Sequence, residues 1–368
     1  MLLASLLLAS LLTGCTQDYE LAPEPVDVDP GEVTACDFTR VVDVAGRATD
    51  FYAYDCNPVF STTGEDWAAS VDTTAFAVTE VLGHPFYQLW YTGVPDADSY
   101  GDYGLGYALS AEGTDWEPVP ANPLLTEPAA DQWDSSGMDG MQVLWDSALG
   151  KYLMLYQGYN LDRNRWGLGV ATSSDGQAWK RLPSNPVLDL TAPGPDDVVG
   201  YCWPLGLTMG DVTGYTGYIA GYDSQTGPCQ VYTMAGADAE TWTPSSRLVL
   251  PAGERGTWDD EGTISLAIAE QGGEDLLFYV GFGDWVDFTT YRTSSRQYVG
   301  WARRDGGEWV KDPDPLPLNQ TAEGEVSAIA AQKIGDRVHL WITDTWGDES
   351  AVGYFLYDPT RAAAEDAE

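Results

Sequence analysis

The segment Thr49-Asp50-Phe51 … Asn57-Pro58-Val59-Phe60 returns as Thr114-Asp115-Trp116 … Asn122-Pro123-Leu124-Leu125, and again as Trp179 … Asn185-Pro186-Val187-Leu188. Trp242 and Trp309 continue the series, so five copies follow one another at a spacing of 63 to 67 residues. A fixed period means that one supersecondary unit is copied along the chain. The units are strand-rich, and copies of a small sheet bury their faces most completely when they close into a ring, which leaves few free edges. The sequence therefore predicts an all-β five-bladed β-propeller whose blades are four-stranded and antiparallel.

Each repeat parses into four strands. The first has strand candidates at Phe76 to Val81, Phe86 to Tyr91, Gly104 to Leu109 and from Trp116; the second at Met141 to Trp145, Lys151 to Tyr156, Gly167 to Thr172 and from Trp179. Short turns such as Ser173-Ser174-Asp175-Gly176 and Arg304-Asp305-Gly306-Gly307 supply the glycines that positive φ requires. The last repeat has only three candidates, around Ser327 to Ala331, Arg337 to Thr343 and Val352 to Tyr357. Its fourth strand is expected from Thr49 to Asp55, which matches Thr114 to Pro120. The two ends of the chain then pair and close the ring.

The propeller is expected over residues 36–359, with 360–368 a disordered acidic tail. Before it, MLLASLLLASLLTGC carries an apolar run that ends in Leu12-Thr13-Gly14-Cys15, a pattern that resembles the bacterial lipobox. That run is too short to be kept as a spanning helix and reads as an export signal over residues 1–15. Cys15 is then the lipid-carrying residue, and the chain is placed in a bacterial cell envelope, held to the membrane by that lipid alone. Residues 16–35, with Pro23, Pro25 and Pro30 among acidic residues, have too little apolar surface to fold and read as a tether.

Setting Cys15 aside leaves Cys36, Cys56, Cys202 and Cys229. An even number in an exported chain implies two disulfides, and nearness in sequence favours Cys36 with Cys56 and Cys202 with Cys229. With only His84 and His339 and no close ligand spacing, there is no metal motif and no cofactor is expected, although a structural Ca²⁺ is compatible with the acidity. The net charge of −40 excludes nucleic acid as a partner, since every phosphate would be repelled, and otherwise speaks to solubility. A monomer is expected.

In such a ring the starts of five inner strands and five variable loops surround one mouth of the central channel. Tyr91, Tyr156, Tyr279 and Ile342 align as second-strand anchors, and seventeen residues before them lie Thr74, Asp139, Gly262 beside Glu261, and Glu325. A looser match in the third repeat gives Trp203. Carboxylates converging on a concave site are the equipment of glycoside hydrolysis, one protonated to assist the leaving oxygen and one ionised. Asp139, Glu261, Asp72 and Glu325 are the candidate catalytic residues.

Trp67, Trp133 and Trp258, like the outer tryptophans, sit at equivalent places in several repeats and are expected to pack between strands and blades. Trp203, Trp285 and Trp346 break the repeat and are candidates for stacking on a sugar ring. Arg292, in the long Gly281 to Gln297 loop, and Asp197, ahead of the third inner strand, complete the candidate substrate-binding set.

Gly106-Tyr107-Ala108-Leu109-Ser110 … Gly113-Thr114-Asp115-Trp116 with Asn122-Pro123, and Val170-Ala171-Thr172-Ser173-Ser174-Asp175-Gly176 … Trp179 with Asn185-Pro186, resemble blades of the five-bladed glycosidase superfamily. That group includes family 43 arabinanases and xylosidases, family 32 invertases, levansucrases and family 130 phosphorylases. The resemblance spans about residues 49 to 358. It implies, by analogy with family 43, a first-blade Asp as general base, a second-blade Asp that tunes the acid, and a third-blade Glu as the acid. Asp139 resembles the second-blade residue, and Asp72 lies two residues off the first-blade position. The third blade offers Cys202-Trp203-Pro204, with Asp196 and Asp197 upstream, while Glu261 comes one blade later in Trp258-Asp259-Asp260-Glu261-Gly262. Invertase-type Asn-Asp-Pro-Asn and Arg-Asp-Pro motifs are absent. The Ser173 to Trp179 turn approaches a sialidase Asp-box but is one residue too short, and no arginine triad accompanies it.

Two functions follow as expectations: a glycosidase-like lipoprotein that cleaves a polysaccharide or oligosaccharide, or a propeller that binds glycan or protein at the cell surface without turnover.

Overall fold

The computed structural model describes residues 36–367 apart from positions 44, 62–63, 82, 96–102, 126–130, 197, 211–213, 225–226, 284–295, 319–324 and 347–348. The export signal, Cys15 and the tether therefore lie outside the described residues, as do Asp197, Trp285 and Arg292.

The chain enters through β1 (Phe38–Val42) and β2 (Ala48–Tyr54). Blade 1 follows as β3 (Ser70–Val81), β4 (His84–Val94), β5 (Gly104–Ser110) and β6 (Glu117–Pro118). Blade 2 holds β7 (Gly137–Asp146), β8 (Lys151–Asn160), β9 (Arg165–Ser173) and β10 (Lys180–Arg181), with β11 (Leu188–Asp189) also paired to β9. Blade 3 is β12 (Gly200–Met209), β13 (Tyr215–Tyr222), β14 (Gln230–Gly236) and β15 (Trp242–Leu250), and blade 4 is β16 (Gly262–Gln271), β17 (Glu274–Gly283), β18 (Arg296–Asp305) and β19 (Glu308–Lys311). In blade 5, β20 (Ala328–Ile334), β21 (Arg337–Trp346) and β22 (Glu349–Tyr357) are completed by β2, and β1 adds a fifth strand outside it.

The inner strands β3, β7, β12, β16 and β20 pack side by side in that order, and β20 returns to β3. Five antiparallel blades thus form a closed propeller. Closure comes from Phe51, Tyr52 and Ala53 pairing with Tyr357, Leu356 and Phe355, as the repeat predicts.

The core is divided into interblade wedges. Phe278, Val280 and Val299 of blade 4 meet Ile329, Leu340 and Phe355 of blade 5, and similar apolar clusters fill the other four interfaces. Trp90 and Trp341 are wholly buried, and the blade-to-blade link runs through their ring N–H groups. Trp90 Nε1 donates to the Gly176 carbonyl (2.8 Å) in the turn of blade 2, and Trp341 Nε1 donates to Gly113 (3.1 Å) in the turn of blade 1. The outer tryptophans of those turns, Trp179 and Trp116, donate to the same two carbonyls. Trp67, Trp133 and Trp258 lie against the anchor tyrosines Tyr91, Tyr156 and Tyr279 at centroid separations of 5.8, 5.8 and 5.5 Å. These recurrent tryptophans pack, as expected.

The recurring Asn-Pro pair has a backbone role. Each Asn precedes a cis peptide bond, and its side-chain amide pairs with both main-chain polar groups of one residue on a neighbouring strand. Asn122 serves Tyr107, Asn185 serves Val170 and Asn57 serves Tyr354. The side chain thereby stands in for a missing strand residue and satisfies an N–H and a C=O that would otherwise be left unpaired.

The C-terminal segment corrects one expectation. Residues Pro359–Glu365 form a helix, α1, rather than a disordered tail. Asp358 caps its N-terminus by accepting from the Arg361 N–H (2.9 Å). Arg361 lies over the Tyr52 ring (4.3 Å) and donates to the Phe38 carbonyl, and Arg40 of β1 pairs with Asp366 (2.6 Å), so a stretch that reads as acidic and alanine-rich is held by two arginines against the closing strands.

Candidate functional site

Four of the five inner strands carry a register irregularity at their start. The ladder skips between Val71 and Thr74 in β3, Asp139 and Gln142 in β7, Tyr201 and Pro204 in β12, and Thr263 and Ser265 in β16. A bulge releases a residue from pairing and re-aims its side chain. Asp72 and Thr73, Asp139 and Gly140, Cys202 and Trp203, and Ile264 all line one cavity of about 1210 Å³. Glu261 also lines it from just before β16, and Ser327 does so from just before β20. That volume is ample for more than a single small ligand.

Asp72 and Asp139 open onto the cavity but are otherwise enclosed by the ring. Burial pushes the Asp72 carboxyl up to about 8, and the charge of Asp139 pushes it the same way. Burial raises Asp139 as well, opposed by hydrogen bonds that favour its anion. Its Oδ1 accepts from the Gly140 N–H (2.6 Å) and from the Thr73 hydroxyl (3.0 Å). Thr73 Oγ1 lies 2.9 Å from Thr92 Oγ1, so Thr92 donates to Thr73 when Thr73 donates to Asp139. Among the described residues the Asp72 carboxyl has no such donor. Hydrogen bonds thus favour the anion on Asp139, whereas burial and the neighbouring charge disfavour it on Asp72. Glu261 is raised too, by burial and then by neighbouring Asp260, while Arg255 pulls it down.

Gly140 has φ +56°, a left-handed conformation that lets its N–H turn toward Asp139, and a Cβ there would lie 3.2 Å from Pro204. Gly262 has φ +131°, and a Cβ would come within 2.2 Å of the Cys229 carbonyl oxygen. Cys202 and Cys229 form a disulfide that lines the cavity wall, and Cys36 and Cys56 are disulfide-bonded as well.

Of the sequence-predicted site residues, Asp139, Asp72, Glu261 and Trp203 come together in this cavity. Trp203 is half-buried, and its Nε1 donates to the Thr263 carbonyl (3.2 Å). Glu325 is exposed, bridges the backbone of Gln297 and is not among the described lining residues, where blade 5 contributes Ser327 instead. Trp346 ends β21, its backbone paired with Glu349. Asp196 belongs to a separate surface depression and accepts from the Ser246 hydroxyl (2.6 Å).

The seventeen-residue offset explains both the success and the miss. Thr74 pairs with Tyr91 seventeen residues on, whereas Leu266 and Ile329 pair with Tyr279 and Ile342 only thirteen residues on. The first hairpin is longer, so equal offsets are not equal positions. Thr74 is buried against Thr343 (2.7 Å), and the bulge before it delivers Asp72. Thr73, Gln157, Tyr201 and Trp166 also line the cavity and carry no repeat signal that singles them out.

No family model matches the chain, and no curated protein is similar to it in sequence. Solved structures are similar. A glycosyl hydrolase from Bacteroides ovatus aligns with a TM-score of 0.59 at 20% identity over 89% of this chain and 94% of its own. A GH130 structure, from a family of mannoside phosphorylases containing glycoside hydrolases that target β-1,2 mannosidic linkages in Candida mannan, aligns with a TM-score of 0.56 at 18% identity over 88% and 94%. The β-1,2-mannobiose phosphorylase of Listeria innocua aligns with a TM-score of 0.59 at 12% identity over 87% and 100%. At these identities the likeness is one of fold, and the chain has the five-bladed propeller architecture that those glycoside hydrolases and phosphorylases share.

Proposed function

We propose that this protein is a glycosidase-like lipoprotein of the cell envelope that hydrolyses a glycosidic bond of a polysaccharide or oligosaccharide in the channel cavity. The observation that carries the reading is the placement of an enclosed Asp72 and a hydrogen-bonded Asp139 on adjacent inner strands, with Glu261 lining the same cavity. In this scheme Asp72 gives its proton to the leaving oxygen as the bond from the anomeric carbon breaks. Glu261 takes a proton from the water that adds to that carbon. Asp139 keeps Asp72 protonated by its own charge and lies beside the transition state as a fixed anion. Trp203 offers an aromatic face to the sugar. Cys15 carries the lipid that holds the domain at the membrane.

The family acid of the third blade has no counterpart among the described lining residues, where Cys202 and Trp203 stand. That substitution favours the second reading, a glycan-binding propeller without turnover. Incubating the purified protein with a panel of polysaccharides and measuring reducing ends separates the two. Turnover that falls roughly 10²–10⁴-fold in Asp72→Asn and in Asp139→Asn supports hydrolysis. Wild-type turnover in Asp139→Asn removes that residue from the mechanism, and calorimetric binding with no reducing ends released makes the protein a binder.

A further inference from the structure

The third blade meets the fourth through a closed circuit of contacts at the cavity wall. Cys202 sits in the β12 bulge and is joined by its disulfide to Cys229, just before β14. Cys229 then pairs in parallel with the start of the fourth blade: its N–H donates to the Glu261 carbonyl (2.9 Å), and its carbonyl accepts from the Thr263 N–H (3.0 Å). Trp203, next to Cys202, closes the circuit by donating to the Thr263 carbonyl. Gly262, between the two bonded residues, admits Cys229 only because it has no Cβ. Cys202, Cys229, Trp203 and Glu261 all line the cavity.

We propose that the Cys202–Cys229 disulfide is a positioning device for Glu261, joining the Trp203 bulge of blade 3 to the strand start of blade 4 that presents the carboxylate. Where the resembling family places an acid on the third blade, this chain places a clamp that holds the carboxylate of the next one. The clamp links Trp203 and Glu261 into one rigid edge, so the aromatic face and the carboxylate keep a constant relation to each other. A carboxylate held within a fraction of an ångström by locked neighbours is what a reacting site requires. The proposal deepens the glycosidase reading and rests on it for the catalytic role of Glu261, but its physical content is separable from turnover.

The test compares the double variant Cys202→Ser/Cys229→Ser with Cys36→Ser/Cys56→Ser, which removes the other bridge. Two readouts need no sugar: amide hydrogen exchange of the peptide covering 258–266, and the titration midpoint of the Glu261 carboxyl followed by ¹³C NMR. Exchange about tenfold or more faster in that peptide, with the Glu261 midpoint falling toward the ordinary glutamate range, is expected for the first variant only. Unchanged exchange and midpoint in the first variant, or equal changes in both variants, overturn the proposal. If the first variant does not fold, Trp203→Phe keeps an aromatic face and deletes the Nε1 bond to Thr263. Faster exchange in the same peptide then supports the clamp, and unchanged exchange overturns it. Once a substrate is in hand, kcat falling more than KM rises in the first variant is the corresponding kinetic result. Failure to find any substrate counts against the glycosidase reading while the exchange and titration results still decide the clamp.

Discussion

Asp72 shows how a residue can cost the fold what it lends the site. Burial and then Asp139 push its carboxyl up to about 8 in the folded protein, against the usual range near 4 when unfolded. Between those values the unfolded chain has released a proton that the folded chain keeps, so the unfolded state binds fewer protons and stability falls as pH rises from about 4 to about 8. Asp72→Asn removes that liability. Its thermal unfolding, compared with wild type, is expected to show little gain at pH 4 and a gain on the order of 1–3 kcal/mol at pH 8. A gain that stays constant across that range would mean that Asp72 ionises normally. His339 shifts the opposite way: burial and then Arg337 push it down to about 4, so it contributes stability at neutral pH that is lost as pH falls from about 6.5. Asp139 is legible from its offset to an anchor tyrosine, whereas Asp72 stands two residues off that register and reaches the cavity through the β3 bulge, which leaves no mark in hydrophobic alternation.

At the scale of the element, the repeat announced the blades because each must supply the same packing. In blades 1 and 2 the outer tryptophan donates to the carbonyl of a strand-turn glycine, and the recurrence of those two residue types is visible in the sequence. The Asn-Pro pair was equally visible, but its work was not: the spacing says nothing of an amide pairing with Val170 or Tyr107. Asn185→Ala leaves the Val170 N–H and C=O without their partner and is expected to cost roughly 1–3 kcal/mol in denaturant unfolding, with blade 2 affected first in hydrogen exchange. Asn185→Asp keeps the acceptor and loses the donor, so it should fall between. Equal stability of Asn185→Ala and wild type would show that water replaces the amide. β1, β11 and α1 lie outside the expected elements. A fifth strand lies outside the fourfold repeat, and a short helix in an acidic, alanine-rich stretch gains its stability from the surface it docks on.

For the whole molecule, the ring holds because its ends are joined. β2 pairs with β22, α1 packs on β2, and Arg337 pairs with the buried Asp358 (2.7 Å). Deleting residues 359–368 uncovers Tyr52 and removes Arg361 from the closing strands, so the melting temperature is expected to fall by several degrees while the far-ultraviolet spectrum stays β-like. An unchanged melting temperature would make α1 an ornament of the surface. The proposed lipid anchor is tested separately by metabolic labelling with a radioactive fatty acid, which wild type should incorporate and Cys15→Ser should not. Everything said of function depends on separate blades bringing Asp72, Asp139 and Glu261 to a common sugar. A crystal structure of Asp72→Asn soaked with an oligosaccharide that the wild-type protein binds is the most direct measurement. The expected result is a sugar ring in the cavity against Trp203, with a glycosidic oxygen within hydrogen-bonding reach of residue 72 and Glu261 on the same ring. Oligosaccharide bound only outside the cavity, with Asp139 and Glu261 untouched, would contradict it.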